Sequence, residues 1–346
     1  MRRFIILLIL ILSTGCTVYG AEYAPPSVPP SAEKYFPDET ESFGDGLWEI
    51  IVRAAESIHP EIFEAAKVCF GILAVIILVS LLRGASADIG SIIKLVSVIS
   101  VAAILIKPSN SLLHLGIDTV NELSEYGKML SPVLTGALAA QGGVSTATVL
   151  YAGTTVVNSV LSRCISLIIV PVIYIYIALS VAGNAIGESM LGNLQSFAKW
   201  LVTWLLKTLI YIFTGYMSIT GVVSGAADAS TIKAAKLTFS SAVPVVGKII
   251  SDASDSVISG AAVIKNATGV YGLLAVIAIC VTPFLKVGIH YLLLKLTAAL
   301  CGVFDNSPAV TLLKDFASAM GIVLAMVGTS GLLLMISIVC YIKGVS

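Results

Sequence analysis

Six apolar runs divide the chain, and polar stretches rich in Ser, Gly and Pro separate them. The runs lie at about Ala65–Leu82, Ile89–Ile106, Val149–Ala182, Phe197–Val223, Gly269–Leu300 and Ser318–Ile342. Each can cross ~30 Å of hydrocarbon as a helix, which takes about 17–25 residues. The third and fifth exceed what one perpendicular helix needs, and Pro171 and Pro283 sit inside them. Each of these two is either one tilted, kinked helix or two shorter segments. The pattern predicts an all-α polytopic membrane protein with six to eight membrane helices.

A shorter run, Phe4–Leu12, follows Arg2 and Arg3. It is too short to span, and a basic start, an apolar core and small residues beyond it describe a secretory signal peptide. Val18 and Gly20 place cleavage after Gly20. The alternative is lipidation at Cys16 after Gly15, but Ser13 stands where a large aliphatic residue is usual. Beyond the leader, Pro25, Pro26, Pro29, Pro30 and Pro37 favour an extended, unpacked segment. From Glu22 to Glu64 acids far outnumber Lys34 and Arg53, as expected of a translocated segment. Leu47–Phe63 has apolar residues at helical spacing, for a helix along the membrane surface or a lead-in to the first span.

The polar interruptions carry an internal repeat. Pro132 opens PVLTG and Pro244 opens PVVG, which ends at Gly247; the prolines stand 112 residues apart, and so do Pro171 and Pro283. LQSFA at Leu194–Ala198 resembles LKDFA at Leu313–Ala317 with an offset of 119. These offsets divide the chain into a leader (1–20), an outer segment (21–64), two spans with a connector (65–130), and two membrane repeats (131–223 and 243–342). Each repeat is expected to begin with a short helical hairpin. In the second copy the hairpin covers Ser240–Ile264. Pro244 breaks the backbone, Ser251, Asp252 and Asp255 form the polar turn, and Gly260, Ala261 and Ala262 let the returning helix pack closely. Irregular Pro/Gly segments at matching places in two halves point to a pathway. Pro132, Pro171, Pro244, Gly247, Asp252, Asp255, Gly260 and Pro283 are therefore the candidate conduit or hairpin positions. Lys286 and His290, one helical turn apart, join them as a polar pair on one face. Lys94, Lys199, Lys207, Lys286 and Lys295 either snorkel to headgroups or line a polar cavity. No Asp or Glu sits centrally in any of the six runs. The loop 224–268 carries Lys233, Lys236, Lys248 and Lys265, a poor match to positive-inside if it lies outside.

Composition agrees. The chain of 346 residues is 57% hydrophobic and 12% charged, with a net charge of zero and a mean hydropathy of +1.00. Neither a basic nor an acidic surplus points to nucleic acid or a cationic ligand. The six cysteines lie within or beside apolar runs, none at CxxC spacing. GxxxxGK[ST], HExxH and GxSxG are absent, and His59, His114 and His290 are scattered, so no catalytic residue, metal site or cofactor is expected.

With the leader, the Pro-rich outer segment and KLTFSSAVPVVGKIISDASDSV in view, the chain resembles the stage III sporulation protein AE family over essentially its whole length. The resemblance implies a subunit of a multi-protein complex in the mother-cell-derived membrane around the forespore. Its implied partners are other proteins of that complex, including an ATPase and ring-forming subunits, and a forespore-membrane partner across the intermembrane space. Together they are expected to form a channel or secretion-like conduit supporting late forespore development. The alternative is a scaffold that positions ring-forming partners without conducting. No catalytic residues come with the resemblance.

Overall fold

The computed structural model describes residues 26–37, 42–85, 90–187, 189–242, 246–304 and 307–344. Two short helices, α1 (Pro30–Glu33) and α2 (Phe43–Glu56), precede α3 (Ile58–Ala85) and α4 (Gly90–Ala140). Then come α5 (Val144–Cys164), a π-helical turn at Ile165–Ile169, α6 (Val170–Ile186), α7 (Ser189–Ala242), α8 (Val246–Phe304) and α9 (Pro308–Lys343). Six stretches are long and apolar enough to cross a membrane: Ile58–Leu82, Ile92–Ala140, Val144–Ile186, Met190–Thr220, Ser256–Val303 and Pro308–Lys343. The all-α, multi-span expectation therefore holds. The predicted leader and its cleavage site lie outside the described residues.

The prolines are handled in two ways. Proline lacks an N–H, and its ring strikes the carbonyl four residues earlier. Immediately before Pro171 the chain widens into the π turn Ile165–Ile169, which relieves that clash. At Pro283 the helix runs on: α8 is continuous for 59 residues, ~88 Å at ~1.5 Å per residue. Pro171 is exposed and Pro283 is buried, so the two do not occupy matching kinks. Pro132 lies inside α4, as does Pro108, whereas Pro244 falls between α7 and α8, outside the described residues. At Pro171 and Pro283 the 112-residue offset is thus not matched by equivalent local geometry, and the other pair cannot be compared because Pro244 lies outside the described residues. The 119-residue offset is different. Leu194 and Leu313 each stand five residues into a long helix, α7 and α9.

The second hairpin also differs from expectation. No turn forms at Ser251–Asp255, because α8 is helical from Val246 onward. Ser and Asp there alternate with apolar and small residues, without Gly or Pro, so nothing breaks the ladder. The segment between α7 and α8, residues 243–245, lies outside the described residues. The first copy does turn where AAQGGVSTAT predicts it. Residues 141–143 connect α4 to α5, and Gly142 takes φ +91°, a left-handed conformation that glycine adopts without strain. The connector expected after Ile106 is instead the continuation of α4 to Ala140.

Helix α9 is the central post. It packs most heavily on α8 and α4, then on α6, α7 and α5. Small residues let backbones close on it. A Cβ added at Gly331 would lie 2.9 Å from Cys280 Sγ, and one at Gly127 would lie 3.0 Å from Leu334. Pairings along its length show the alternation of direction. Tyr341 near its end meets Thr135 near the end of α4, and Asp315 near its start meets Asn184 near the end of α6.

The N-cap of helix α5 is Gly143, which offers no side-chain cap. The missing acceptor comes from α7. Asp228 is 3% exposed and accepts the N–H groups of Ser145 (3.1 Å) and Thr146 (2.8 Å). A carboxylate at a helix N-terminus satisfies orphan donors and the positive end of the dipole together.

The outer segment is not unpacked. Pro30 opens α1 at a position where its missing N–H costs nothing. Ala32 and Tyr35 are buried, and the Phe36 ring sits 4.7 Å from that of Tyr271 in α8. Arg53 of α2 donates to the Phe36 carbonyl at 2.7 Å, and Ser31 donates to Glu122 of α4.

Candidate functional site

A chain this apolar hides its polar groups where other groups can satisfy them. They collect along α9. Asp315, Ser318, Thr329, Ser330, Ser337 and Tyr341 fall within ~140° of one another at ~100° per residue, on one broad face. From Asp315 to Tyr341 this track runs ~39 Å, longer than ~30 Å of hydrocarbon.

At the start of α9, Asn184 donates to Asp315 Oδ2 at 3.0 Å and also to the Ser180 carbonyl at 2.8 Å. Gln195 donates to Ser180 Oγ at 2.7 Å, which ties α6 to α7. Lys199 Nζ reaches Ser318 Oγ at 3.4 Å. Midway, Ser330 borders a space of about 10 Å³ with Ser124, Asn158 and Ser162 around it, close to the size of one water. Towards the far end, Thr154 and Ser337 hydroxyls are 2.5 Å apart, and Thr135 donates to Tyr341 Oη at 3.1 Å. Between Ser318 and Thr329 the same face carries Ile322 and Met326, both buried. An apolar plug thus interrupts the polar track.

Beside the track, α7, α8 and α9 enclose a groove of about 540 Å³. Lys199, Lys207 and Lys295 line it with Tyr291, and no carboxylate is among its lining residues. Lys295 Nζ stands 4.7 Å from the Tyr291 ring centroid. On the adjoining face of α7, Phe197, Trp200 and Trp204 stack in series, with centroids 5.8 and 6.1 Å apart.

The structure does not gather the positions expected from sequence. Pro132 and Pro171 are exposed on α4 and α6, and Pro283 is buried in α8. Gly247, Asp252 and Asp255 are in the first turns of α8, and the two carboxylates lie outside the described side chains. Gly260 was expected at a tight helix contact, but among the described residues nothing comes within 4 Å of a Cβ added there. Lys286 does not line the groove; it pairs with Glu61 of α3 at 3.3 Å. Half-buried His290 places Nδ1 2.9 Å from the Lys286 carbonyl, one turn back on its own helix. Lys199, Lys207 and Lys295, treated in sequence as snorkelling or cavity-lining, do share one groove. Asp315 lies just before the last apolar run, Ser318–Ile342, and its sequence signal is LKDFA, whose counterpart LQSFA supplies Gln195 to the same cluster. Among the described residues no group of His, Cys, Asp and Glu could hold a metal ion.

Comparison with known proteins adds identity to this geometry. The family described as Stage III sporulation protein AE (spore_III_AE) matches residues 39–344. Stage III sporulation protein AE of Bacillus subtilis (strain 168) is 25% identical over 221 residues, 64% of this chain and 55% of that protein. The chain therefore aligns with about half the length of this curated relative. No solved structure matches.

Proposed function

The chain belongs to the stage III sporulation protein AE family, and from that premise we propose that it is the membrane subunit of a channel or secretion-like complex linking mother cell and forespore. Membership and the six apolar spans support a role in a sporulation membrane complex. The finer reading is a permease-like core in the mother-cell-derived outer forespore membrane. It works with other proteins of that complex, among them an ATPase and ring-forming subunits, and with a forespore-membrane partner across the intermembrane space. The chain carries no nucleotide-binding loop, so energy would come from the ATPase.

The observation that carries the conduit reading is the polar face of α9. Serines and threonines running the depth of a bilayer, interrupted by Ile322 and Met326 and again by Leu333, fit a closed path gated by dry constrictions. A scaffold that positions ring-forming partners is the second reading. The same plug favours it, since Met326 and Ile322 pack the centre of α9 against its neighbours.

Cysteine accessibility separates the two. In a chain whose native cysteines are replaced, Ser330→Cys and Ser337→Cys should react with a hydrophilic thiol reagent added to membranes of lysed sporulating cells that retain the assembled complex. Val323→Cys should stay protected. Protection of all three in cells whose complex co-purifies intact favours the scaffold.

A further inference from the structure

We infer that the groove between α7, α8 and α9 binds an anionic phospholipid, its phosphate held by Lys199, Lys207 and Lys295 and its acyl chain laid along the apolar wall formed by Ile210, Ile322 and Leu332. The groove shares Ser318, Ile322 and Thr329 with the polar track, but the inference rests on the lysines and the groove's shape and not on conduction.

Charge is the first argument. Three ammonium groups line one groove of about 540 Å³ with no carboxylate among the lining residues. Its size falls within the range of small-molecule sites. Lys199 has only a long contact to Ser318 Oγ, at 3.4 Å. Lys295 rests against the Tyr291 ring. Among the described residues Lys207 has neither an ion pair nor a hydrogen bond, in contrast with Lys286, which has Glu61. Asp315, the acid whose charge reaches Lys199, is engaged by Asn184. Asp315 thus offsets part of the Lys199 charge, and the charge of Lys207 and Lys295 is left, among the described residues, for an external anion.

Depth and wall are the second argument. Trp200 and Trp204 are 56% and 50% exposed on a helix read as spanning the membrane, and they stack beside the lysines. The rings lie within the stretch Met190–Thr220, where lipid covers the outer face of the helix, and a lysine's long stem can lie along apolar surface while its ammonium reaches towards a polar group. Between and beyond the lysines the groove wall is apolar, with Val202, Leu206, Ile210, Ile322 and Leu332, so a ligand with a charged head and a greasy tail matches both parts. Basic pockets between membrane helices bind anionic headgroups through this combination. A small hydrophilic anion would use the lysines and leave the apolar wall uncovered.

The tryptophans allow a direct test. The chain has three, and Trp48→Phe leaves only Trp200 and Trp204 as reporters. The full-length Trp48→Phe protein is placed in phosphatidylcholine nanodiscs containing either brominated phosphatidylglycerol or brominated phosphatidylcholine at the same mole fraction. Bromine quenches the neighbouring indoles. A site on the lysines predicts that phosphatidylglycerol associates roughly tenfold more strongly than phosphatidylcholine. Lys199→Gln, Lys207→Gln and Lys295→Gln together should bring the two lipids to parity, while three arginines at those positions keep the preference. If the triple Gln variant fails to fold, Lys207→Gln and Lys295→Gln alone should each lower the preference severalfold. Equal quenching by the two lipids, or a preference that survives loss of the lysines, overturns the inference. So does displacement of the brominated phosphatidylglycerol by millimolar inorganic phosphate, which would make the site one for a free anion.

Discussion

Replacing Asp228 by alanine should loosen the junction of α5 and α7 and lower the melting temperature of the whole bundle. The carboxylate is 3% exposed and accepts two helix N-terminal donors, Ser145 N at 3.1 Å and Thr146 N at 2.8 Å. A hydrogen bond to a charged group contributes about 1.5–3 kcal/mol, and loss of an ordinary N-cap costs about 0.5–2 kcal/mol. The two donors share one cap, so the expected loss is on the order of 2–4 kcal/mol, or a fall of roughly 4–10 °C. Asp228→Asn keeps an acceptor without the charge and should fall in between. The pH dependence has a definite sign. Burial pushes the Asp228 carboxyl up, hydrogen bonds from Thr146 and Ser145 pull it down, and the net position is below the ordinary 3.8. A folded value below the unfolded one means the charge stabilises fully above about 3.8. That contribution disappears as pH falls through the lower, folded value. Thermal unfolding of the purified protein in detergent, for the native chain and Asp228→Asn from pH 7 down to 3, measures both effects. The gap between them should be full at pH 7 and close towards the acid end. A melting temperature for Asp228→Ala within a degree of the native chain refutes the cross-helix cap, and so does a gap that widens as the pH falls.

Three other outcomes follow from the packing. Gly153→Val should lower the melting temperature by several degrees, since a Cβ there meets the ring of Tyr216, whose hydroxyl bonds the Val149 carbonyl at 3.0 Å; overpacking of this kind costs about 1–3 kcal/mol. Gly260→Leu should melt within about a degree of the native chain, because open space surrounds that position among the described residues. Lys286→Glu should reduce the yield of folded protein by setting two carboxylates together at the 3.3 Å pair, and adding Glu61→Lys should restore it, as measured by size-exclusion profiles.

The span pattern was legible because hydrocarbon tolerates little else: five of the six apolar runs lie within the observed helices as single passages, and Ile89–Ile106 begins just before α4. The length of α4 was not, since Asp118, Glu122, Glu125 and Lys128 lower the hydropathy of residues that are nonetheless helical and packed on α9. The π turn was half legible. Pro171 demanded a local remedy, but sequence could not choose between a break, a kink and a widened turn, and Pro283 shows that a buried proline can leave its helix continuous. Ser251, Asp252 and Asp255 suggested a hairpin tip because polar residues after a helix-breaking proline are the marks of a turn. Ser and Asp lower helix propensity only modestly, and with no Gly or Pro among residues 251–255 the helix α8 runs through them. The α9 track was hidden for another reason. Ser and Thr inside an apolar helix resemble packing residues, and only their partners on distant helices, Thr154 for Ser337 and Thr135 for Tyr341, distinguish a polar path from a small-residue seam.

Flux through the assembled complex tests the conduit most directly. The complete complex, purified from sporulating cells and reconstituted into liposomes, should hold a small fluorescent dye while the Ile322–Met326 plug is intact and release it at least tenfold faster with Met326→Ser, which wets the constriction. Adding Ser337→Leu to Met326→Ser, which fills the track beyond the plug, should slow that release again. Release by the Met326→Ser complex no faster than from the native complex, with all subunits retained, would contradict a path along α9.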